Sequence, residues 1–507
     1  MKRQFLTVLF LIVGFCSYSQ VGGFLSFYEN EEHLSWEPRD VVETESGDYL
    51  VALKTYNSPQ SISKVLKLSN DGAFCQELPL ETTDTSIYLT RIFPSKANPN
   101  NYIGFAACNL TDNPLLMTIR FDEDLNVINQ KAVELPYSGN ELYNTSFLSL
   151  EDEYIAVATF DWLHPNPSFI LYRISEEGNI LQSSICEADS LSYVHNLFRI
   201  HNNSNCFGMY VRATNSSNAS TGVILFDETL QIYKRAFFGS WTYTDSNNQQ
   251  CFSHLNSFNG MFTPIPDGDY VISSRLDEST TVTPIKDDLS AVFVKADTNF
   301  VLMPNRQVIG HLNDTLDIPA FFKSIDYTSD VIYQCSMQNM SKSGSWPYQP
   351  QSMHLVITKT DYDLNVIWQK RLLLDGDVYS PTNIIATSDG GCLITGMRYK
   401  RLGELYLDAF ALKLNADGTY NGLSQPEPAT DESITVYPNP TSNSIVVSGD
   451  MLQGVEIYNF TGQKVASYGS ANAENFVINM ESLPSGMYFV NVTSSSGERF
   501  TKKVVKE

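Results

Sequence analysis

Little in this sequence advertises chemistry. Charged residues fill 18% of its 507 positions, below the ~25% usual in soluble domains, and basic ones are the scarcer kind, 33 against 57 acidic. A net charge of −24 argues against nucleic-acid phosphate as a partner. Beyond the first fifteen residues, no apolar run approaches the length that spans a bilayer. No CxxC or zinc spacing occurs. Seven cysteines follow residue 16 (Cys75, Cys108, Cys186, Cys206, Cys251, Cys335 and Cys392), an odd number mostly set inside apolar strands. They read as buried free thiols rather than a disulfide framework. A Gly-x-Ser-x-Gly elbow, a His-Glu-x-x-His helix, a phosphate loop and an identifiable pair of working carboxylates are all missing. Thus no catalytic residue, metal ligand or cofactor is assigned. His195 and His201 read as packed or surface histidines. The acidic turns at 70–72, 122–124 and 415–418 lack the spaced oxygen ligands of a calcium loop and read as hairpin turns.

What is present points to an exported β protein. Hydrophobic content of 42%, with 28 Gly and 22 Pro, can bury a substantial core, and Ser, Thr, Asn, Tyr and Phe are plentiful. Lys2 and Arg3 precede an apolar run from Phe5 to Phe15, and Ser17-Tyr18-Ser19 precedes a cleavage point at Gln20. Residues 1–19 are therefore expected to be a signal peptide. Cys16 raises a lipoprotein alternative, but Phe15 is too large for the residue before a lipidated Cys.

Between residues 36 and 425 the chain repeats. A strand ending in a basic residue and an acidic or Gly turn recurs, with its shared column at 67, 120, 173, 225, 295, 359 and 413. The steps are 53, 53, 52, 70, 64 and 54. An earlier strand in each unit opens at Tyr49, Tyr102, Tyr154, Cys206, Tyr270, Val331 and Cys392. With a strand before and one after, each unit of about 50 residues holds four strands, the signature of propeller blades. Two stacked sandwiches would not give one four-strand unit seven times over. A seven-bladed β-propeller is predicted over 20–425. The seventh unit lacks a fourth strand, because Thr419–Gly422 leads into a Pro- and Glu-rich linker at 426–432. A strand within 21–30, carrying Phe24, Leu25, Phe27 and Tyr28, is expected to fill that place, since an open blade exposes a strand edge.

The long second-to-third and blade-to-blade connections share one face of such a disc. They carry Trp162 and His164, Trp241 and Tyr243, Trp346 and Tyr348, and Tyr399 and Tyr406. Aromatics beside amides and carboxylates suit glycans or extended peptides; the competing reading is that these rings pack the loops down.

The last 75 or so residues hold the most specific pattern. Pro438-Asn439-Pro440 is followed by a strand and turn ending at Gly462, then Gly486-x-Tyr488, a hairpin at Gly497, and a basic end with Lys502 and Lys503. Short strands with turns every ten residues or so read as a small Ig-like β-sandwich over 433–507, and an ordinary adhesive module is the alternative. In its order of motifs this segment resembles the type A-like C-terminal sorting domain of the type IX secretion pathway, found on Bacteroidetes cargo. The resemblance implies handling by the type IX machinery and its sorting protease, with the product secreted or attached to the outer-membrane surface. It implies nothing about what the propeller does there. Two classes stay open: a surface protein binding a glycan, peptide or protein through its loop face, and an extracellular polysaccharide hydrolase or lyase with a site in the funnel. Converging His, Arg and carboxylates in the funnel would favour the enzyme, and Ser, Thr and aliphatic side chains would favour binding.

Overall fold

The computed structural model describes residues 23–506 apart from 29–33, 56–61, 81–85, 99, 110–113, 135–141, 152, 161–167, 187–190, 202, 216–217, 239–240, 245–249, 281–288, 311–314, 342–352, 374–376, 401–405, 421–434, 460–463 and 495–498. Every described element is a strand. The signal-peptide and linker segments lie outside these residues. The chain divides into two compact units, 1–422 and 423–507.

The first unit is built from antiparallel meanders. Four consecutive sheets have four strands each, in sequence order: Trp36–Glu43 to Phe74–Leu80, Ser86–Pro94 to Val127–Glu134, Leu142–Ser149 to Ile180–Cys186, and Leu191–Ile200 to Ile232–Phe237. A ten-stranded sheet follows, from Trp241–Thr244 to Val366–Leu372. Its halves are joined through one parallel register, Leu289 with Leu316. The last sheet holds Val378–Ala386, Cys392–Tyr399 and Leu407–Leu414, and its outer strand is the N-terminal Leu25–Tyr28, antiparallel to the third.

Each sheet packs its face on the next. Leu50 and Val65 of the first meet Leu89 and Ile119 of the second; Phe105 of the second meets Phe147 and Tyr154 of the third; Leu171 of the third meets Met209 and Ile224 of the fourth. Tyr210 and Val223 then meet Phe262 and Val292, and the halves of the ten-stranded sheet meet through Val271, Phe293, Ile332 and Val356. Ile357 meets Ile384 and Leu412, and Leu393 and Ala411 of the last sheet pack on Trp36, Val41 and Val51 of the first. The packing closes on itself, which makes this unit a β-propeller. Within the closing strand, Phe24 and Tyr28 join the cluster with the first sheet while Leu25 and Phe27 join the opposite one. Outer strands are half wet, as in the alternation of Ile180–Cys186, because only their inner faces have a neighbour.

Polar groups near the axis tie successive inner strands together. Asp40 Oδ2 accepts from Ile92 N at 2.9 Å, Ser146 Oγ from Leu197 N at 3.2 Å, Asn196 Oδ1 from Phe262 N at 2.9 Å, and Asp326 Oδ2 from Ala386 N at 2.9 Å.

The basic column of the repeat forms clamps at the turn end. Lys295 Nζ, almost fully buried, lies 2.8 Å from Asp267 and 3.2 Å from Asp269 in its own unit, and 3.5 Å from Asp363 in the next. Lys67 reaches Asp48, Glu123 and Asp124 in the same pattern. Arg173 pairs with Glu153 and donates to Glu228 O at 3.1 Å, and Lys413 pairs with Asp389 at 2.7 Å. The turn aspartates are occupied locally: Asp361 Oδ1 accepts from Asp363 N and Asn365 N, and Asp227 Oδ1 from Thr229 N and Gln231 N. The turn's last position is left-handed throughout. It is Gly72, Gly178 and Gly418 in three units, but Leu125, Leu230, Phe300 and Leu364 (φ 61–67°) in four others, where burial of the side chain offsets the steric cost.

The second unit is a β domain whose five strands, Thr435–Tyr437, Ser444–Asn459, Lys464–Asn479, Gly486–Ser494 and Arg499–Lys506, are hydrogen-bonded in one antiparallel sheet. Ile445, Val455, Ile457, Val490, Val492 and Val504 form its core.

Candidate binding site

In each meander the first strand starts, and the second ends, at the end of the ring where the longer connections emerge. At that end of the first sheet a charged group forms. The strand Trp36–Glu43 carries a register shift between Pro38 and Asp40, so Arg39 is the extra, unpaired residue. A bulge re-aims a side chain, and here the Arg39 guanidinium stacks 3.7 Å above the Phe322 ring. Phe322 lies in a segment that leaves the ten-stranded sheet and straps itself to the last sheet's inner strand, through Phe322 N to Thr382 O at 2.8 Å and Ile384 N to Lys323 O at 2.8 Å. Glu37 sits directly opposite Lys54 in the ladder. One oxygen, Glu37 Oε2, accepts from Arg39 Nη1 at 3.3 Å and Lys54 Nζ at 3.0 Å. The Lys54 ammonium stands 5.7 Å from the centre of the Tyr88 ring on the second sheet.

Two cations thus share one carboxylate between two aromatic faces drawn from three parts of the chain. The carboxylate is nearly sealed, its side chain 8% exposed, while Arg39 and Lys54 keep 20% and 19%. Burial, and then the charge of Arg39, hold the Lys54 ammonium below its usual pKa, with Glu37 offsetting part of the effect. The neighbouring Arg91 is neutralised by Asp40 at 3.1 Å. Elsewhere the inner strands present Thr90, Ser146, Ser380 and Thr382. His195 is partly buried beside Tyr210, and burial followed by the Arg212 charge lowers its pKa to about 3, so its imidazole is neutral. His201 packs at a tilt against Tyr270 in a turn, with Nε2 3.0 Å from Asp269 O. Among the described residues no group of three or more His, Cys, Asp or Glu could hold a metal ion.

None of the seat residues carries a sequence signal of its own, because they fall outside the repeat's shared columns. Of the aromatics expected on the loop face, Trp162, His164, Trp346 and Tyr348 lie outside the described residues. Trp241 and Tyr243 lie on a short strand paired with Gln250–Ser253, and their side chains lie outside the described ones. Tyr399 is partly buried against Ile318, Met337, Met353 and Val378. Tyr406 is 41% exposed, two residues before Asp408, which pairs with Arg398 and Lys400 at 2.8 and 3.2 Å. Of the cysteines, Cys108, Cys186, Cys335 and Cys392 are buried, Cys206 is partly buried and Cys75 is exposed, all as free thiols. Cys251 lies on a strand, and its side chain lies outside the described ones.

In the second unit the Pro438-Asn439-Pro440 loop is stitched to the last strand. Asn439 Nδ2 donates to Lys503 O at 2.8 Å and its Oδ1 accepts from Val505 N at 2.9 Å, so one side-chain amide imitates a strand partner. Tyr488 is buried with its hydroxyl donated to Pro484 O at 2.7 Å, and Gly486 opens that strand with φ 155°. Lys503 is exposed and Lys502 half-buried; Gly462 and Gly497 lie outside the described residues.

The model of the secretion system C-terminal sorting domain matches residues 435–507. Residues 435–507 are a type IX sorting domain. The chain is therefore marked for export, to be secreted or attached at the outer-membrane surface. An ulvan lyase of Nonlabens ulvanivorans is 31% identical over 75 residues, which is 14% of this chain and 14% of that one. Among solved structures, Drosophila Semaphorin 2a is similar over 95% of this chain and 98% of its own (8% identity, TM-score 0.45). The polysaccharide lyase Uly1 is similar over 75% and 90% (6%, TM-score 0.43). The β-propeller domain of the Trilobed protease from Pyrococcus furiosus is similar over 79% and 99% (10%, TM-score 0.38).

Proposed function

We propose that this is a cell-surface or secreted binding protein. Its propeller seats an extracellular glycan or extended peptide at the connection end, and its C-terminal domain serves delivery. The observation that carries the reading is the junction of Glu37, Arg39, Lys54, Tyr88 and Phe322: partly open cations and rings drawn together from separate sheets, on an otherwise strongly acidic chain. Aromatic faces with a few convergent polar groups are the usual make-up of a ligand site. Within this reading, the ten-stranded sheet counts as two blades bridged at one register, giving seven, with the N-terminal strand completing the last. Probing glycan and peptide arrays with the signal-cleaved chain and its Arg39→Gln variant tests it. Retention of a ligand that the variant loses supports the seat, and equal retention refutes it.

One observation favours a second reading, a polysaccharide lyase. Such a reaction needs a base for the proton beside a uronate carboxylate and a cation to neutralise that carboxylate, and Lys54, with its lowered pKa, stands beside Arg39. Ultraviolet absorbance from unsaturated sugar ends, formed by the native chain and absent with Lys54→Met, would establish it.

For the tail, the proposal is that Pro438, Asn439, Pro440, Gly462, Gly486, Tyr488, Gly497, Lys502 and Lys503 together present the sorting signal, with Asn439 holding the loop on the last strand. Asn439→Asp replaces the donor to Lys503 O with an acceptor; accumulation of that variant in the periplasm is the expected result, and normal surface delivery would refute the role.

A further inference from the structure

We infer that the seat at Arg39 and Lys54 is built for an anionic group, the carboxylate or sulfate of an acidic polysaccharide; this rests on the binding reading above and narrows it. The first ground is charge. Glu37 supplies one negative charge to two cations, and both contact a single oxygen of it, leaving a net positive spot on a chain of net charge −24. The second is unspent donors. Apart from Arg39 Nη1 and one Lys54 hydrogen directed at Glu37, no other bond of either side chain is seen among the described residues, and Arg39 Nε is buried without a partner. Because Nε is sealed and Nη1 is engaged, Nη2 is the guanidinium nitrogen left for a carboxylate or sulfate oxygen.

The third ground is rigidity. Arg39 is fixed by its bulge below and the Phe322 face above, and Phe322 is itself fixed by backbone bonds to Thr382. Donors held in place lose little entropy on binding. The last is the surroundings. Phe322 and Tyr88, both partly buried, flank the cations, and ring faces beside cations suit the apolar C–H faces of a sugar that carries its charge on the rim. An acidic peptide would use the same cations but makes less use of two flanking rings.

Glu37 is then a resident competitor for the ligand's anion. Neutralising it should strengthen binding, which a merely structural salt bridge would not do.

The test uses the signal-cleaved chain and calorimetric titration with four probes of matched length: an oligogalacturonate, a sulfated oligosaccharide, a neutral oligosaccharide and an oligoglutamate. The expected result is binding of one or both acidic saccharides, weakened by salt, with no binding of the neutral one. Arg39→Gln and Lys54→Met should each lower affinity about ten-fold or more, the loss of one charge-assisted contact. Glu37→Gln should raise it several-fold, and Arg39→Lys should fall between. Which acidic saccharide binds tells carboxylate from sulfate. Tighter binding of oligoglutamate overturns the saccharide class. A neutral saccharide bound well but lost in Arg39→Gln overturns the anionic class while leaving the seat. Binding unchanged in every variant overturns both, as does binding of none of the probes. Should Arg39→Gln fail to fold, Glu37→Gln and Lys54→Met decide.

Discussion

The turn end of the ring and the seat at its other end both set cations against carboxylates, to different purposes. At the turn end Lys295, Lys67, Arg173 and Lys413 recur at one column of the repeat, and acids of their own unit or groups of the next surround them. At the seat, cations outnumber the acid, and Arg39 stands on a first-strand bulge that other sheets fill with Thr90, His195 or Thr382 instead. Charge that repeats with the fold is saturated and holds units together. Charge that breaks the repeat is left with capacity to spare. Departures from the repeat are thus the better place to look for function.

The largest effect should come from removing the closing strand. Deleting residues 23–28 takes away the outer ladder of the last sheet, and with it Phe24 from one core cluster and Leu25 and Phe27 from another. Several buried side chains at about 2–5 kcal/mol each rival a typical total stability of about 5–15 kcal/mol. A thermal midpoint lowered by on the order of 10 °C or more is expected, and an unchanged melt would mean the last sheet is completed otherwise.

Next are the clamps. Lys295→Met removes the partner of Asp267 and Asp269, leaving two acids side by side. A fully buried broken pair costs about 3–5 kcal/mol. Both acids are about a quarter exposed, so solvent screens them and about 1–3 kcal/mol is expected. Denaturant melts of the variant measure it, and ligand affinity should stay as it was. The same end sets the acid limit. Asp71, Asp227 and Asp417 are held below the usual carboxylate range by neighbouring hydroxyls and turn amides, and in Asp389 burial acts the other way as the largest single effect but is outweighed by Lys413, the Thr387 hydroxyl and the Gly391 amide together. Depressed folded pKa values contribute stability above the unfolded value of about 3.9 and lose it as pH falls through the folded ones. These groups should lower the midpoint below about pH 4, and His195, its pKa lowered to about 3, should also lower it as pH falls below the unfolded value of about 6.5.

A smaller effect tests how the first turn differs from its relatives. Gly72 has φ +93°, and a Cβ there would lie 2.6 Å from the Phe24 ring, where other units hold a buried Leu or Phe of the turn itself. Gly72→Ala should cost about 1–3 kcal/mol. It should cost less in a Phe24→Ala background, and strictly additive losses would refute the contact.

Most of the ring was legible because its devices are periodic: the basic column, the Tyr or Cys opening all but one of the second strands, and the Gly turns all fall at repeat spacing. The tail was legible because Asn439, Gly486 and Tyr488 do local jobs that only their residue types can do. Glu37, Arg39, Lys54, Tyr88 and Phe322 were not legible. Phe322 is nearly three hundred residues from Arg39, in a segment that abandons its own sheet, and the bulge at Arg39 recurs in other units at Thr90, His195 and Thr382, so its spacing does not single out a seat. Tyr399 shows a related limit: a loop-side aromatic reads the same in sequence whether it faces solvent or packs on Met337 and Met353.

The smallest stability effect should come from the seat itself. Arg39→Gln forfeits a partly exposed ion pair, worth about 0.2–1 kcal/mol, and a stacking contact of similar size. It also relieves the repulsion between Arg39 and Lys54, which acts in the opposite direction. The net should stay within about 1 kcal/mol, a shift of a few degrees at most. The proton equilibrium should move more visibly. Arg39 is the second cause, after burial, of the lowered Lys54 pKa, while Glu37 pulls the other way. Removing the Arg39 charge leaves Lys54 with burial and Glu37 alone, so its ammonium should titrate higher in the variant, and lower in Glu37→Gln. Lysine titration by NMR follows both. A large loss of stability in Arg39→Gln with Lys54 titrating as before would make Arg39 another clamp, and the contrast between the two ends of the ring would fall with it.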